Sequence, residues 1–323
     1  LQLPEGKAMH RGKRNYAESR SVSVLTLAAM AGLAQPAEAQ IVAPASPAVT
    51  LQPHRAVYDV SLDDTGPAMS ISSISGRVVY ELMGSACEGY AQNMRFVTET
   101  ATTDGQTSMT DLRTSSWEDS AARRMRFSSS TYGNDQLAEQ TQGTASKIDG
   151  GGKPGSKHPP AAKLPEAASG GSNALAVELT KPERQSARID APVYFPIDHS
   201  IALIRQAKSA GRVFSGNLYD GSEGGQKYYF TAASIGKVSA NEHLSAVPKF
   251  TGDLKKLQGL RSWPVSIAYF KPEERHFDQL PLYEMSFRFH ENGITSNLVI
   301  DHGDYRLKGE LKELTLIEQS PCP

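Results

Sequence analysis

From His54 to Phe127 apolar side chains fall at every second position in one segment after another, with no stretch of helical spacing between them. That succession constrains the fold more than any other feature of the chain. Strands joined without a helical crossover pair antiparallel with their sequence neighbours, so the pattern predicts a meander. In the first segment Tyr58, Val60 and Leu62 share one face while Asp59 and Ser61 take the other, the period of a strand wetted on one side. Asp63 to Pro67 is turn chemistry. Beyond it Met69 and Ile71 lie on one parity and Ile74, Val78, Tyr80 and Leu82 on the other, which asks for a bulge or bend near Ser72 and Ser73. Alternation continues through Tyr90, Met94 and Phe96, through Gln106 to Trp117, and into Met125 and Phe127.

The second half keeps this character after an interruption. Residues 143–172, GTASKIDGGGKPGSKHPPAAKLPEAASGGS, hold almost no large apolar side chain. Such a segment cannot repay its ordering entropy by burial and is expected to be a mobile loop within the domain. Strands follow at about 175–179 and 184–189. Next comes the one persuasive helix, entered at Pro196 and Asp198, carrying Ile201, Leu203, Ile204 and Ala207 at helical spacing, and closed by Gly211. Asp220-Gly221 and Gly224-Gly225 lie between strands as a hairpin signal. Trp263 to Phe270 is a strand; Tyr283, Met285, Phe287 and Phe289 alternate cleanly, turn at Glu291-Asn292-Gly293, and a last strand runs from Tyr305 to Ile317. About a dozen strands of ordinary length must curl, split or close. The expected fold is therefore all-β with one main helix, a curved antiparallel open barrel or spiral.

The first 39 residues read differently. Met9 precedes Arg11, Lys13 and Arg14, then an apolar run over residues 22–33, then Ala37-Glu38-Ala39, the three parts of a cleaved export signal. The run is too short for a spanning helix, which needs roughly 20 residues. The expected division is a signal peptide at 1–39, an extended lead-in at 40–53, and a single β domain over 54–323 in the periplasm. The leader carries five basic residues (Lys7, Arg11, Lys13, Arg14, Arg20) and three acidic ones (Glu5, Glu18, Glu38), so 34 against 35 becomes 29 against 32 in the mature chain. That balance implies neither a nucleic-acid surface nor a binder of anionic membranes.

Export also sets how Cys87 and Cys322, the two cysteines of the chain, are read. A lone pair in an oxidising compartment is usually a disulfide, and two unrelated thiols are the alternative. No C-x-x-C spacing is present to tune a thiolate for redox chemistry.

Catalytic motifs are scarce. The chain has no G-x-S-x-G elbow and no H-E-x-x-H or paired metal-ligand spacing, so no metal or cofactor is expected. Ser234 and Lys237 match S-x-x-K, with Lys249-Phe250-Thr251-Gly252 as an imperfect later partner. A periplasmic hydrolase of the penicillin-recognising kind is thus the alternative function, but in such enzymes the serine opens a helix, and Ser234 lies in a strand pattern.

Several ordered blocks carry a resemblance. LQPHRAVYDVSL at 51–62, SGRVVYELMGSACEGY at 75–90, the strand bearing Trp117, FPIDHSIALIRQAKSAG at 195–211, LYDGSEGG at 218–225 and the terminal Cys322 together resemble the EipB cell-envelope integrity family of alphaproteobacteria. The resemblance implies a periplasmic β-spiral similar to the lipoprotein carriers LolA and LolB. It also implies a disulfide between the early and the C-terminal cysteine, Cys87 and Cys322, and tetratricopeptide-repeat partners. The segment at 143–172 departs from the family as an insertion. The function so implied is a non-enzymatic envelope-integrity factor whose concave face holds an apolar or amphipathic ligand, an acyl chain, a lipoprotein or a partner's peptide. Tyr80, Phe96, Phe287 and Phe289, on inward parity, are the candidate ligand-facing residues; the alternative is that they simply fill the interior.

Overall fold

The computed structural model describes residues 49–66, 70–148, 174–239, 251–272, 280–319 and 322. The chain divides between residues 45 and 46, and the described residues all belong to the second unit. The expected signal peptide and the first part of the lead-in lie outside them. The strands are β1 (His54–Thr65), β2 (Ile71–Ser85), β3 (Gly89–Thr102), β4 (Thr107–Glu118), β5 (Arg124–Gly133), β6 (Gln136–Ile148), β7 (Ala174–Lys181), β8 (Gln185–Ile189), β9 (Val213–Leu218), β10 (Tyr229–Ile235), β11 (Thr251–Gly252), β12 (Ser262–Phe270), β13 (Tyr283–His290), β14 (Thr295–Asp301) and β15 (Tyr305–Leu316). One α-helix, α1 (Pro196–Lys208), lies between β8 and β9.

Fourteen strands form one antiparallel path in the order β8-β7-β6-β5-β4-β3-β2-β1-β15-β14-β13-β12-β10-β9, and the short β11 runs parallel beside β15. Two meanders, each paired to its sequence neighbours, are thus zipped together where the first strand meets the last. The outer strands β8 and β9 are consecutive in the chain yet do not pair, so the sheet is open. The segment entering α1 touches β9 through a single parallel bridge, Tyr194 to Leu218. The expected bulge in β2 is present, a register shift between Ile71 and Ser73.

One expectation is overturned. Residues 143–148, taken from composition as the start of a mobile loop, are the second half of β6 and pair with β7 from Gly143 opposite Leu179 to Ile148 opposite Ala174. Their small side chains serve close packing: Ala145 is fully buried, and a Cβ on Gly143 would meet the Glu178 carbonyl oxygen at 2.6 Å and the Phe127 ring at 3.0 Å. Residues 149–173, the rest of the expected loop, lie outside the described residues. Fifteen described strands stand where about a dozen are expected; β6 and β11 are the ones the apolar pattern misses.

Alternation puts one face of every strand inward, over three apolar clusters. The first gathers α1 with Leu82, Tyr90, Trp263, Ile267 and Phe289; the second centres on Met125, Phe127, Leu175 and Tyr219; the third holds Tyr58, Val78, Leu311 and Leu314. Val49 and Leu51 of the lead-in join the first cluster, and the Leu51 N–H donates to the Tyr90 hydroxyl at 3.3 Å. Register also brings the cysteines together. His54 faces Leu82 on one side and Leu316 on the other, so the β2–β3 turn and the end of β15 share one end of the sheet. There Cys87 and Cys322, 235 residues apart, pair as a disulfide with Cα atoms 5.7 Å apart, within the usual span of such bonds.

Candidate ligand-facing interior

The helix is set into the inner face through its N-terminus. Pro196 occupies the first helical position and Phe195, the N-cap residue, supplies no side-chain cap. The open N–H groups of Ile197 and Asp198 instead donate to the two carboxyl oxygens of Glu118, at the end of β4, at 2.7 and 3.1 Å. A carboxylate suits this place because the helix N-terminus carries partial positive charge and unsatisfied donors. Glu118 is nonetheless almost wholly buried, and burial pushes its carboxyl up to about 8, against the pull of those two N–H groups and the Lys147 ammonium. Lys147 of β6 pairs with Asp198 at 2.9 Å and lies 4.7 Å from the Phe195 ring centre. Two strands remote in sequence, β4 and β6, therefore hold one helical turn.

Further along α1, His199 is buried against Thr231 of β10, Nε2 to Oγ1 at 2.9 Å. The Thr231 hydroxyl donates to the Gly216 carbonyl at 2.8 Å, so it accepts from the imidazole, whose proton sits on Nε2. Burial lowers this histidine to about 4, and it is neutral above that. The C-terminus closes locally, with Gly211 N–H donating to the Gln206 carbonyl and Ala210 N–H to that of Ala207. Here the left-handed position belongs to Ala210, at φ 62°, and not to the expected Gly211, which lies one residue beyond it.

After β9 the chain turns on Tyr219, whose fully buried ring contacts Phe127 and Phe195 and whose hydroxyl donates to the Gly225 carbonyl at 2.8 Å. Gly221, at φ 80°, packs directly on the Phe127 ring, where any side chain would collide. The loop is thereby fixed, and with it Asp220, whose Oδ1 accepts the Ser222 N–H at 2.9 Å. Ser222 Oγ lies 3.0 Å from the Tyr229 hydroxyl. Tyr229 meets Tyr269 edge-on with ring centres 6.0 Å apart, and Tyr269 stacks on its cross-strand partner Tyr283 at 4.3 Å. Burial raises the Asp220 carboxyl and all three phenols.

The four aromatic residues singled out from sequence do not converge on one place. Tyr80, Phe287 and Phe289 belong to the first cluster and Phe96 to the third. Phe289 is sealed, whereas Tyr80, Phe96 and Phe287 are partly open, and Tyr80 donates to Gln92 at 3.3 Å. Ser234 is exposed on the outer face as the penultimate residue of β10, and Lys237 lies past the strand end; no hydrogen bond joins them. The Glu118 cap was invisible to motif reading, since it has no local signature; the Asp220 loop was legible as the turn between β9 and β10, though not the contacts that hold it. Among the described residues no group of three or more His, Cys, Asp or Glu could hold a metal ion, and no helix is long and apolar enough to cross a membrane.

Comparison with known proteins bears on this architecture. The EipB-like family model matches residues 45–165 and 163–318. The chain belongs to the EipB-like family. A relative in Brucella abortus (strain 2308), the cell envelope integrity protein EipB, is 32% identical over 278 residues, covering 85% of this chain and 88% of that protein. A crystal structure of a beta-barrel-like protein of a domain of unknown function from Brucella abortus superposes with a TM-score of 0.71 at 30% identity, over 84% of this chain and all of that one. The two EipB-like matches meet at residues 163–165, inside the segment read as an insertion.

Proposed function

We propose that this EipB-like chain is a non-enzymatic periplasmic factor in cell envelope integrity, and that its inner sheet face holds an apolar or amphipathic ligand. The observation that carries the role is kinship over most of the chain with a protein named for envelope integrity; the leader at 1–39 supports export. The ligand part draws on the inner face, where Tyr80, Met94, Phe96 and Leu112 stay partly open although they lie on the buried parity. A sealed core would leave such side chains no exposure. On this reading the ligand is a lipid, a lipoprotein's acyl chains, or a segment of a periplasmic tetratricopeptide-repeat partner, and the Cys87–Cys322 bond is a structural staple. Native mass spectrometry of protein purified from the periplasm should find a bound amphiphile, and its removal and return should move the side-chain resonances of Tyr80 and Phe96. A ligand-free spectrum, with no resonance moved by lipids or lipoprotein peptides, would overturn the ligand reading and leave a protein-interaction role.

A further inference from the structure

On the outer face of β3, β4 and β5 positive charge outnumbers negative, and arginines stacked on aromatic rings carry the excess. Arg95 and Arg113 stand directly opposite each other across the β3–β4 ladder, an arrangement of like charges that costs stability unless something bridges it. Asp111 is the bridge and accepts from Arg95 at 2.8 Å and from Arg113 at 2.7 Å, so one carboxylate serves two guanidiniums. Arg126 of β5 makes no ion pair among the described residues; its guanidinium lies 5.2 Å from the ring centre of Trp117, its cross-strand partner. Arg113 lies in the same way over Tyr132, at 4.7 Å. On the neighbouring strands β1 and β2 the arginines are matched, Arg77 by Asp59 and Arg55 by Glu81 and Glu313. Arg124, at the start of β5, is likewise matched by Asp119. Glu99, the other carboxylate on this face of β3 to β5, stands a row beyond Asp111 and away from Arg126.

Arginine, tryptophan and tyrosine are the residue types that carry most binding energy at protein interfaces. Stacking orients each guanidinium plane while Arg113 and Arg126 stay exposed, which suits two-pronged capture of a carboxylate. Between their rows lie the uncharged Ser115 and Ser128, with Asn93 beside them, short polar side chains that suit peptide amides. Ser130, opposite Arg113, is four residues from Arg126 on β5, roughly 13 Å at the rise of a strand. Two acidic side chains four residues apart on an extended segment match that span. Trp117 lies under Arg126 and is not free to enter a bilayer, so a protein segment fits better than an anionic membrane. We propose that this face docks an extended acidic segment of a partner protein through Arg95, Arg113 and Arg126. The surface lies on the side of the sheet away from the interior ligand and does not depend on that reading.

The test is an NMR titration of the exported protein at low salt with a peptide of alternating glutamate and serine and with its glutamine counterpart. The glutamate peptide should bind roughly tenfold more tightly, move the Trp117 indole resonance, and lose affinity as salt is raised. Arg113→Gln and Arg126→Gln should each weaken it about two- to fivefold; both positions are exposed, so folding is not at risk. Arg126→Lys should weaken it nearly as much, because an ammonium keeps the charge and loses the stacked fork. Arg77→Gln, on the same face but matched by Asp59, should leave the affinity unchanged. Asp111→Asn should tighten binding about two- to threefold, since it releases two guanidiniums; a merely structural role for the cluster would not give that sign. Equal affinity for the two peptides, a loss with Arg77→Gln as large as with Arg113→Gln, or weaker binding in Asp111→Asn would overturn the docking surface. Binding of phosphatidylglycerol vesicles through these arginines, with no binding of the glutamate peptide, would overturn the protein partner and assign the face to a membrane. Each of these outcomes leaves the interior-ligand reading where it stands.

Discussion

Asp111 and Glu118 sit on one strand, β4, an odd number of residues apart, and so face opposite sides of the same sheet. Asp111 points outward and is gripped by Arg95 at 2.8 and 3.0 Å and by Arg113 at 2.7 and 3.1 Å; these hydrogen bonds hold it down to about 2. Glu118 points inward, meets two backbone N–H groups, and is pushed up to about 8 by burial. Nothing in residue type separates them. On the wet face a carboxylate can choose long, half-solvated cations, and on the dry face it must accept what the fold delivers.

Tests of this contrast begin with a covalent yardstick. Reducing the Cys87–Cys322 bond, or replacing Cys322 with Ser, should lower unfolding free energy by about 2 to 4 kcal/mol for so long a loop, read by denaturant unfolding with and without reductant. An unchanged midpoint would mean that the bond is absent or carries no stability. Next, Glu118→Ala should cost about 2 to 3 kcal/mol, because it strands two buried donors at the start of α1; a loss no larger than that of a surface substitution would show that the cap is idle. The pH dependence has a definite sign. Glu118 is raised from an ordinary 4.5 to about 8, so between these values the folded state holds a proton that the unfolded state has released. Its contribution is therefore fully present below 4.5 and lost as pH rises toward 8. Glu118→Gln should flatten that slope, and a slope surviving in the variant would assign it to another group. Lys147→Met, which keeps the stem over Phe195 and removes the Asp198 pair, should cost about 1 to 2 kcal/mol by the same unfolding assay.

Asp111→Asn belongs at the small end, about 1 kcal/mol or less, since Arg95 and Arg113 are half in solvent. Its stabilisation is present above an ordinary 3.8 and lost as pH falls toward 2, opposite in sign to that of Glu118. Salt should erase the Asp111 effect and spare that of Glu118; equal salt sensitivity would break the comparison.

Much of the fold was legible. Strand parity placed Tyr58, Tyr80, Phe96 and Phe289 inward, Pro196 marked the helix start, and the parity change at Ser72-Ser73 located a bulge. Composition misled at Gly143 to Ile148, where small residues looked like an unstructured loop and in fact allow β6 to approach Phe127 and β7 closely. A glycine has the same letter whether it frees a backbone or admits a neighbour's ring. The candidate site was legible only in its parts, because Glu118 and Ile197 are distant in sequence and no spacing rule links them.

The sequence by itself determined the alternation, the helix and the presence of two cysteines, since each follows from local periodicity or from the count of a residue type. Tertiary structure decided that β1 meets β15, that Cys87 reaches Cys322, that Glu118 caps a helix that begins far along the chain, and that Tyr229, Tyr269 and Tyr283 meet as one aromatic cluster. Each of these is a contact between remote segments, and burial sets its energy through which charges and hydrogen-bonding groups remain in water.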